Sequence, residues 1–206
     1  MALHVEDLED ETRYRKILTL SYADLVPFIF EYLRKRTALI VFFWATCLFF
    51  LFFALRIRFN IAGYYSLASI MTHSLLGLII FPVLCIPFHE FLHIIPYFFS
   101  GARKIRIGMD LKQYLFYVTA HRHVATPAVF KVVALIPFVV ISIVGGYLVF
   151  TLPGLWKWTM ALFLFAHTTM CAGDFALLNF YFSRRNRKIF TWDDADLKEA
   201  YFYEQL

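Results

Sequence analysis

The sequence contains little charge: 17% of its 206 residues are Asp, Glu, Lys or Arg, whereas soluble domains carry about 25%. It also has only 3 Cys, 8 Gly and 7 Pro. These low counts exclude a disulfide-rich scaffold, a collagen-like chain and a Gly- and Pro-rich disordered chain. Hydrophobic residues make up 61% of the chain and aromatic residues 20%. An integral membrane protein is the class that remains.

Four apolar runs are long enough to cross a bilayer, which requires about 20 residues in a helix. They are Thr37–Leu55, Ile61–Phe88 with apolar character continuing to Phe99, Val132–Pro153 and Trp158–Phe182. We therefore predict a membrane domain of four helices over residues 37–182. A segment of residues 1–36 precedes it, and a tail of residues 183–206 follows it.

The basic residues indicate the orientation of these helices. With a cytoplasmic N-terminus and four crossings, seventeen of the 20 Lys and Arg residues lie on the cytoplasmic side, and only Arg56, Arg58 and Lys157 lie outside. Cytoplasmic loops are enriched in Lys and Arg. The sequence thus predicts a multi-pass protein of the cell membrane with both termini in the cytoplasm. The net charge of +5 is explained by this topology and by lipid headgroups, so nucleic acid is not an expected partner.

The polar segments also have local patterns. In the loop of residues 101–128, alternation in Lys104–Met109 and in part of Gln113–Thr119 predicts a membrane-associated β-hairpin, with its turn at Asp110–Lys112. Ser21–Arg34 predicts an interfacial helix with a capping box, and Thr191–Leu206, which begins T-W-D-D, predicts a short acidic helix. The predicted class is an all-α multi-pass membrane protein with about four transmembrane helices and one cytoplasmic hairpin.

The second run carries the motif H-E-x-x-H, formed by His89, Glu90 and His93. On a helix, positions i and i+4 share a face, so both imidazoles can reach one metal ion, and the glutamate lies beside the metal-bound water. With this content of His and Glu, the spacing is expected by chance in about 0.008 of such sequences. Ionisable residues inside a membrane are costly and usually functional. We predict Zn²⁺ as the cofactor and Glu90 as the general base; the alternative is that the three residues pair with one another.

A hydrolytic zinc site needs a third protein ligand, and Asp174 is the best candidate. The later glutamates, Glu199 and Glu204, lie in the polar tail, whereas Asp174 is the one acid inside another spanning run. Counted from the cytoplasmic ends of their helices at about 1.5 Å per residue, Asp174 lies roughly 13 Å deep, and His93 and His89 roughly 8 and 13 Å deep. The site is therefore expected within residues 61–182, close to the cytoplasmic face.

His167 lies seven residues before Asp174 and shares its face on a continuous helix. It is a candidate for orienting a ligand, for stabilising the transition state, or for replacing Asp174 as a ligand; simple pairing with Asp174 is an equal alternative. Cys85 and Cys171 share faces with His89 and Asp174. Both are interpreted as small packing residues, although either could line the site.

This layout resembles the intramembrane metalloproteases of the site-2 protease type, in which H-E-x-x-H is followed by a membrane-associated hairpin and by an aspartate ligand two helices later. Pro137 lies where that family has a Pro-containing motif, but Gly173 precedes Asp174, whereas the family usually has Gly after its Asp. The sequence is more similar to a family of short bacterial membrane proteins described as "putative zincin peptidases". That pattern covers about Phe81–Phe182 and includes His167 followed by Gly173-Asp174.

The predicted function is that of a zinc metalloendopeptidase that hydrolyses a peptide bond in or next to the membrane. Its partners are membrane lipid and a membrane-protein or peptide substrate, and an unfolded substrate strand can pair with the edge of the hairpin. Two alternatives stay open. One is a non-catalytic membrane module with a structural metal that binds lipid or a partner protein, and the other is a zinc hydrolase of a lipid-linked substrate.

Overall fold

In a computed structural model, which describes residues 3–110 and 115–206, the chain is mostly helical. The helices are α1 Leu25–Leu33, α2 Ala38–Asn60, α3 Leu67–Leu75, α4 Phe81–Phe99, α5 Pro127–Thr151, α6 Gly154–Met170 and α7 Ala172–Phe182. The strands are β1 Tyr14–Ser21, β2 Ile105–Asp110, β3 Leu115–Ala120, β4 Ile189–Asp194 and β5 Glu199–Gln205. A π-helical segment, Leu76–Ile80, joins α3 to α4.

Three helical stretches in the described chain are long and apolar enough to cross a membrane: Ala38–Asn60, Leu67–Phe99 and Pro127–Thr151. The helices α6 and α7 make a fourth span if they are counted together, because they are bent by 45° at a short break. Large apolar side chains on the outer surfaces are solvent-exposed, for example Phe52 at 66% and Phe150 at 76%. Exposed apolar surface of this extent is typical of a face that contacts lipid.

The terminal segments differ from the prediction. The tail does not form an acidic helix; it forms the hairpin of β4 and β5, and β5 also pairs antiparallel with β1 near the N-terminus. The described chain therefore contains a three-stranded sheet in the order β1-β5-β4, and the all-α class was wrong in this respect. The predicted helix before the first span is present as α1, preceded by a turn in which Ser21 accepts a hydrogen bond from the Ala23 amide.

The tail forms strands because its side chains alternate between the core and the surface. Along β5, Ala200, Phe202 and Glu204 are buried, while the intervening residues are only partly so, which is the two-residue period of a strand. The Asp194 carboxylate accepts hydrogen bonds from the amides of Asp196 and Leu197. An aspartate of the T-W-D-D segment therefore caps the turn of a hairpin and not the start of a helix. A helix start and a tight turn both have free backbone amides that a short acidic side chain can accept from, so the sequence pattern alone does not distinguish them.

The predicted cytoplasmic hairpin is present as β2 paired antiparallel with β3, although most of its predicted turn, Asp110–Lys112, lies outside the described residues. Two backbone bridges, His121 with Asp193 and Ala125 with Thr191, join the chain after β3 to β4. The sheet made by the termini is consequently held beside the hairpin. One core cluster combines buried residues of the terminal strands, α1, α4, α5 and α7.

Asn179 fixes the position of α7 relative to the first helices. Its amide nitrogen donates to the Tyr32 carbonyl at 2.8 Å, and its amide oxygen accepts from the Thr37 hydroxyl at 2.6 Å. The side chain is fully buried, and a buried amide is stabilising only when it is hydrogen-bonded. These two bonds hold the helix that carries Asp174 in a single register.

Candidate functional site

The H-E-x-x-H motif lies within α4, as the spacing predicts. His89 and His93 are buried, with 7% and 8% exposure, and their ring centroids are 5.0 Å apart. A carboxylate oxygen of Glu90 lies within 4.8 Å of ring nitrogens of both histidines. The helical spacing therefore produces a compact group of two imidazoles and one carboxylate.

Asp174, from α7, lies next to the two imidazoles. Oδ2 of Asp174 is 3.3 Å from Nε2 of His89, and Oδ1 is 3.5 Å from Nε2 of His93. Asp174 lies in the first turn of α7, just after the break between α6 and α7, where the free amides of a helix start favour a carboxylate. The structure thus brings Asp174 next to His89 and His93, although Asp174 follows His89 by 85 positions in the sequence.

These separations fit a tetrahedral zinc ion. Ligand atoms bonded to zinc at about 2.0–2.1 Å in tetrahedral geometry lie about 3.3–3.4 Å from one another. Each Asp174 oxygen lies at about this distance from one imidazole: Oδ2 is 3.3 Å from Nε2 of His89, and Oδ1 is 3.5 Å from Nε2 of His93. Two imidazole nitrogens and one carboxylate oxygen are also a donor set that zinc prefers in catalytic sites. The residues present are therefore suited to hold zinc.

The backbone of α5 orients His93. Nδ1 of His93 donates to the carbonyl oxygen of Val133 at 2.8 Å, which leaves the lone pair on Nε2 facing Asp174. This carbonyl is available because the residue four positions later is Pro137, which has no backbone N–H to donate within the helix. The sequence did not reveal Val133 as part of the site. The Pro at position i+4 was the signal that could have found it.

His167 lies behind His89 and does not pair with Asp174 in the way that a continuous helix would allow. The break at Cys171 separates α6 from α7, and Nε2 of His167 is 3.1 Å from Nδ1 of His89. When Nε2 of His89 faces a metal, Nδ1 carries the hydrogen and donates it to His167. Such a bond fixes the orientation and tautomer of a ligand.

The two cysteines differ in their surroundings. Cys171 is fully buried, and its Sγ atom is 3.9 Å from Nε2 of His167. His89, His167 and Cys171 could consequently form a second, overlapping metal-binding group. Cys85 instead lines an apolar cavity of about 330 Å³ between α4, α5 and α6.

A cavity of about 380 Å³ opens beside the three predicted ligands and Glu90. Its walls come from α1, α4, α5, α7, the hairpin and the terminal strands, and most of its lining is apolar. Asp193 and Thr191 of β4 also line it, so the tail that the sequence separated from the site forms one of its walls. This volume provides room for a segment of polypeptide next to the histidines.

A family model described as "putative zincin peptidase" matches residues 82–189, which is 108 of the 206 residues. The match includes the motif helix, the hairpin and Asp174. No curated protein and no solved structure matches the chain. The chain therefore belongs to the family described as "putative zincin peptidase".

Proposed function

We propose that this protein is a membrane-embedded zinc metalloprotease that hydrolyses a peptide bond in or near the membrane. The observation that carries the proposal is the convergence of His89, His93 and Asp174 beside Glu90 in one cavity. Membership of the zincin peptidase family supports the same chemistry. The apolar helices support its placement in a membrane.

His89, His93 and Asp174 would hold the zinc ion, which when bound activates a water molecule and polarises the scissile carbonyl group. Glu90 removes a proton from the attacking water and delivers it to the leaving amine as the C–N bond breaks. The Val133 carbonyl and His167 keep the two imidazoles in the orientation that ligation requires. A structural metal site has no need of a carboxylate such as Glu90 in an adjoining cavity, which favours hydrolysis over a non-catalytic module.

The hairpin supports a peptide substrate at a membrane surface. Ile107 and Met109 of β2 are 67% and 49% exposed, and apolar side chains of this size at a hairpin surface are suited to contact lipid or substrate. Phe116, Tyr117 and Val118 of β3 also line the cavity that contains Glu90. A substrate strand beside the hairpin would therefore reach the catalytic residues.

The proposed activity predicts about one Zn²⁺ per purified chain and a peptidase activity that a chelator removes and zinc restores. The measurement is metal analysis together with cleavage of quenched fluorescent peptides by the full-length protein in detergent micelles. A lipid-linked amide offered in parallel serves as the control for substrate class. Metal-replete protein that cleaves the lipid substrate and none of the peptides would contradict the proposal.

The proposed orientation has cytoplasmic termini and a cytoplasmic hairpin. Single cysteines introduced in a cysteine-free background at Tyr64 and Trp156 should react with an impermeant maleimide added to intact cells. Cysteines at Arg103 and Leu197 should react only after the cells are opened. The four positions are all solvent-accessible in the described chain. Labelling of Arg103→Cys or Leu197→Cys in intact cells would show that the orientation is wrong.

A further inference from the structure

The cavity beside Glu90 continues to a second polar region, which we call the distal pocket and define by Tyr22, Tyr97, Thr119 and Asp193. These residues come from four different elements: the turn before α1, helix α4, strand β3 and strand β4. Tyr97 lines the same cavity as Asp193 and the predicted metal ligands. The two regions belong to one continuous space.

The cavity wall carries three carboxyl groups, the imidazoles of His89 and His93, and no Lys or Arg among its described residues. The carboxyl groups are those of Glu90, Asp174 and Asp193. The Asp174 carboxylate is paired with His89 and His93, and Glu90 is assigned to proton transfer. Asp193 has neither role, and within the described part of the chain no basic side chain forms an ion pair with it.

Several polar groups around Asp193 are incompletely hydrogen-bonded. The buried hydroxyl groups of Tyr22, Thr119 and Tyr181 form no hydrogen bond of normal geometry with the described residues. Tyr22 nevertheless lies close enough to Thr119 and Asp193 to interact with both. All three tyrosines that face Asp193, namely Tyr22, Tyr97 and Tyr181, interact with its charge. Buried groups without partners are uncommon and often mark the place of a ligand or of ordered water.

Burial raises the pKa of Asp193 to about 7, and the nearby Tyr22 hydroxyl lowers it only in part. A carboxylate with this environment is stabilised in its charged form when a cation binds beside it. The other titratable groups that face it are tyrosines from the turn before α1, from α4 and from α7. None of these supplies a positive charge.

We propose that the distal pocket is a specificity subsite that binds a Lys or Arg side chain of the peptide substrate, with Asp193 as its counter-ion. This rests on the proposed peptidase function. The hydroxyl oxygens of Tyr22 and Thr119 accept hydrogen bonds from the ammonium or guanidinium group. Leu20 and Phe202, also in the lining, contact the apolar stem of the side chain.

The test uses full-length, zinc-loaded Glu90→Gln protein in neutral detergent micelles, so that peptides bind without being cleaved and the charge of Glu90 does not contribute. The probes are fluorescent dodecapeptides with a single Lys moved through every position, each matched with a peptide carrying norleucine there. We expect at least one Lys peptide to bind about tenfold or more tightly than its partner, because buried charge-assisted hydrogen bonds have that strength. Asp193→Asn should reduce this ratio to within about threefold while zinc content is unchanged.

Asp196→Asn is the matched control, because it removes the same charge from the same hairpin at an exposed position with no part in the cavity. It should retain the preference for Lys. A series in which no position favours Lys over norleucine would overturn the proposal, as would a preference that survives Asp193→Asn. Cleavage of the same peptides by the protein with Glu90 intact is measured separately, so a failure of the peptidase proposal is distinguished from a failure of the subsite.

Thermal stability separates a binding role from a structural one. The raised pKa means that the folded state keeps a proton on Asp193 between about pH 4 and pH 7 that the unfolded state has lost. This carboxyl therefore lowers stability as pH rises through that range, and the full penalty applies above it. Asp193→Asn should raise the melting temperature by several degrees at pH 8 and by less at pH 5. Loss of the Lys preference together with destabilisation at pH 8 would show that Asp193 acts structurally, and the subsite would be refuted.

Discussion

The Glu90→Gln variant is expected to lose peptide hydrolysis by about 10²–10⁴-fold and to keep one zinc ion per chain. The amide has nearly the same shape as the carboxylate but cannot accept a proton from the attacking water. The fold should be preserved, because Glu90 is only partly buried and lines the cavity. The measurement is kcat/KM with the best-cleaved peptide, beside metal analysis and the melting temperature of the same preparation.

A matched control for Glu90→Gln is Glu31→Gln, which changes the charge by the same amount. Glu31 is exposed and pairs with Lys35 on the helix surface, and exposed pairs of this kind contribute little to stability. Its activity should equal that of the unsubstituted protein. Unreduced turnover by Glu90→Gln, with zinc bound, would remove Glu90 from the proposed mechanism and leave only the metal site.

The second large effect concerns the ligands. Asp174→Asn and His93→Ala should each lower zinc affinity by more than about 100-fold, because an anionic oxygen or an imidazole nitrogen is lost from a three-ligand site. His167→Ala should lower it by about 10–100-fold at most, as is usual for a residue that only orients a ligand. Zinc content after dialysis against a graded competitor chelator measures the difference.

This comparison distinguishes two overlapping groups of donors in the structure. One is His89, His93 and Asp174, and the other is His89, His167 and Cys171. Cys171→Ser is the informative partner, because the thiol is buried behind the predicted site and should be dispensable for zinc. If His167→Ala and Cys171→Ser release the metal while Asp174→Asn retains it, the ligand assignment is wrong and zinc lies in the second group.

The chemical centre was predictable from the sequence because its signals are local or rare. His89 and His93 share a helical face through their spacing alone, and Asp174 is the one acid in another apolar run. The apolar runs and the alternation of the hairpin also follow from burial in lipid and from the period of a strand. The order of the helices along the chain also predicts that both parts of the site lie at the same depth in the membrane.

The tertiary structure alone decided what surrounds that centre. Strand pairing between β1 and β5 joins residues 178 to 191 positions apart, and no local pattern specifies such a partner. The aspartates of the T-W-D-D segment can cap either a helix or a turn, so they do not determine which one forms. The tail becomes a hairpin because its side chains alternate between the core and the surface when it packs against the rest of the protein. As a consequence Asp193 lines the cavity, and the break at Cys171 brings His167 against His89. The predicted zinc ligands can be identified from the sequence, whereas the residues that orient them and shape the cavity are brought to the site by long-range packing.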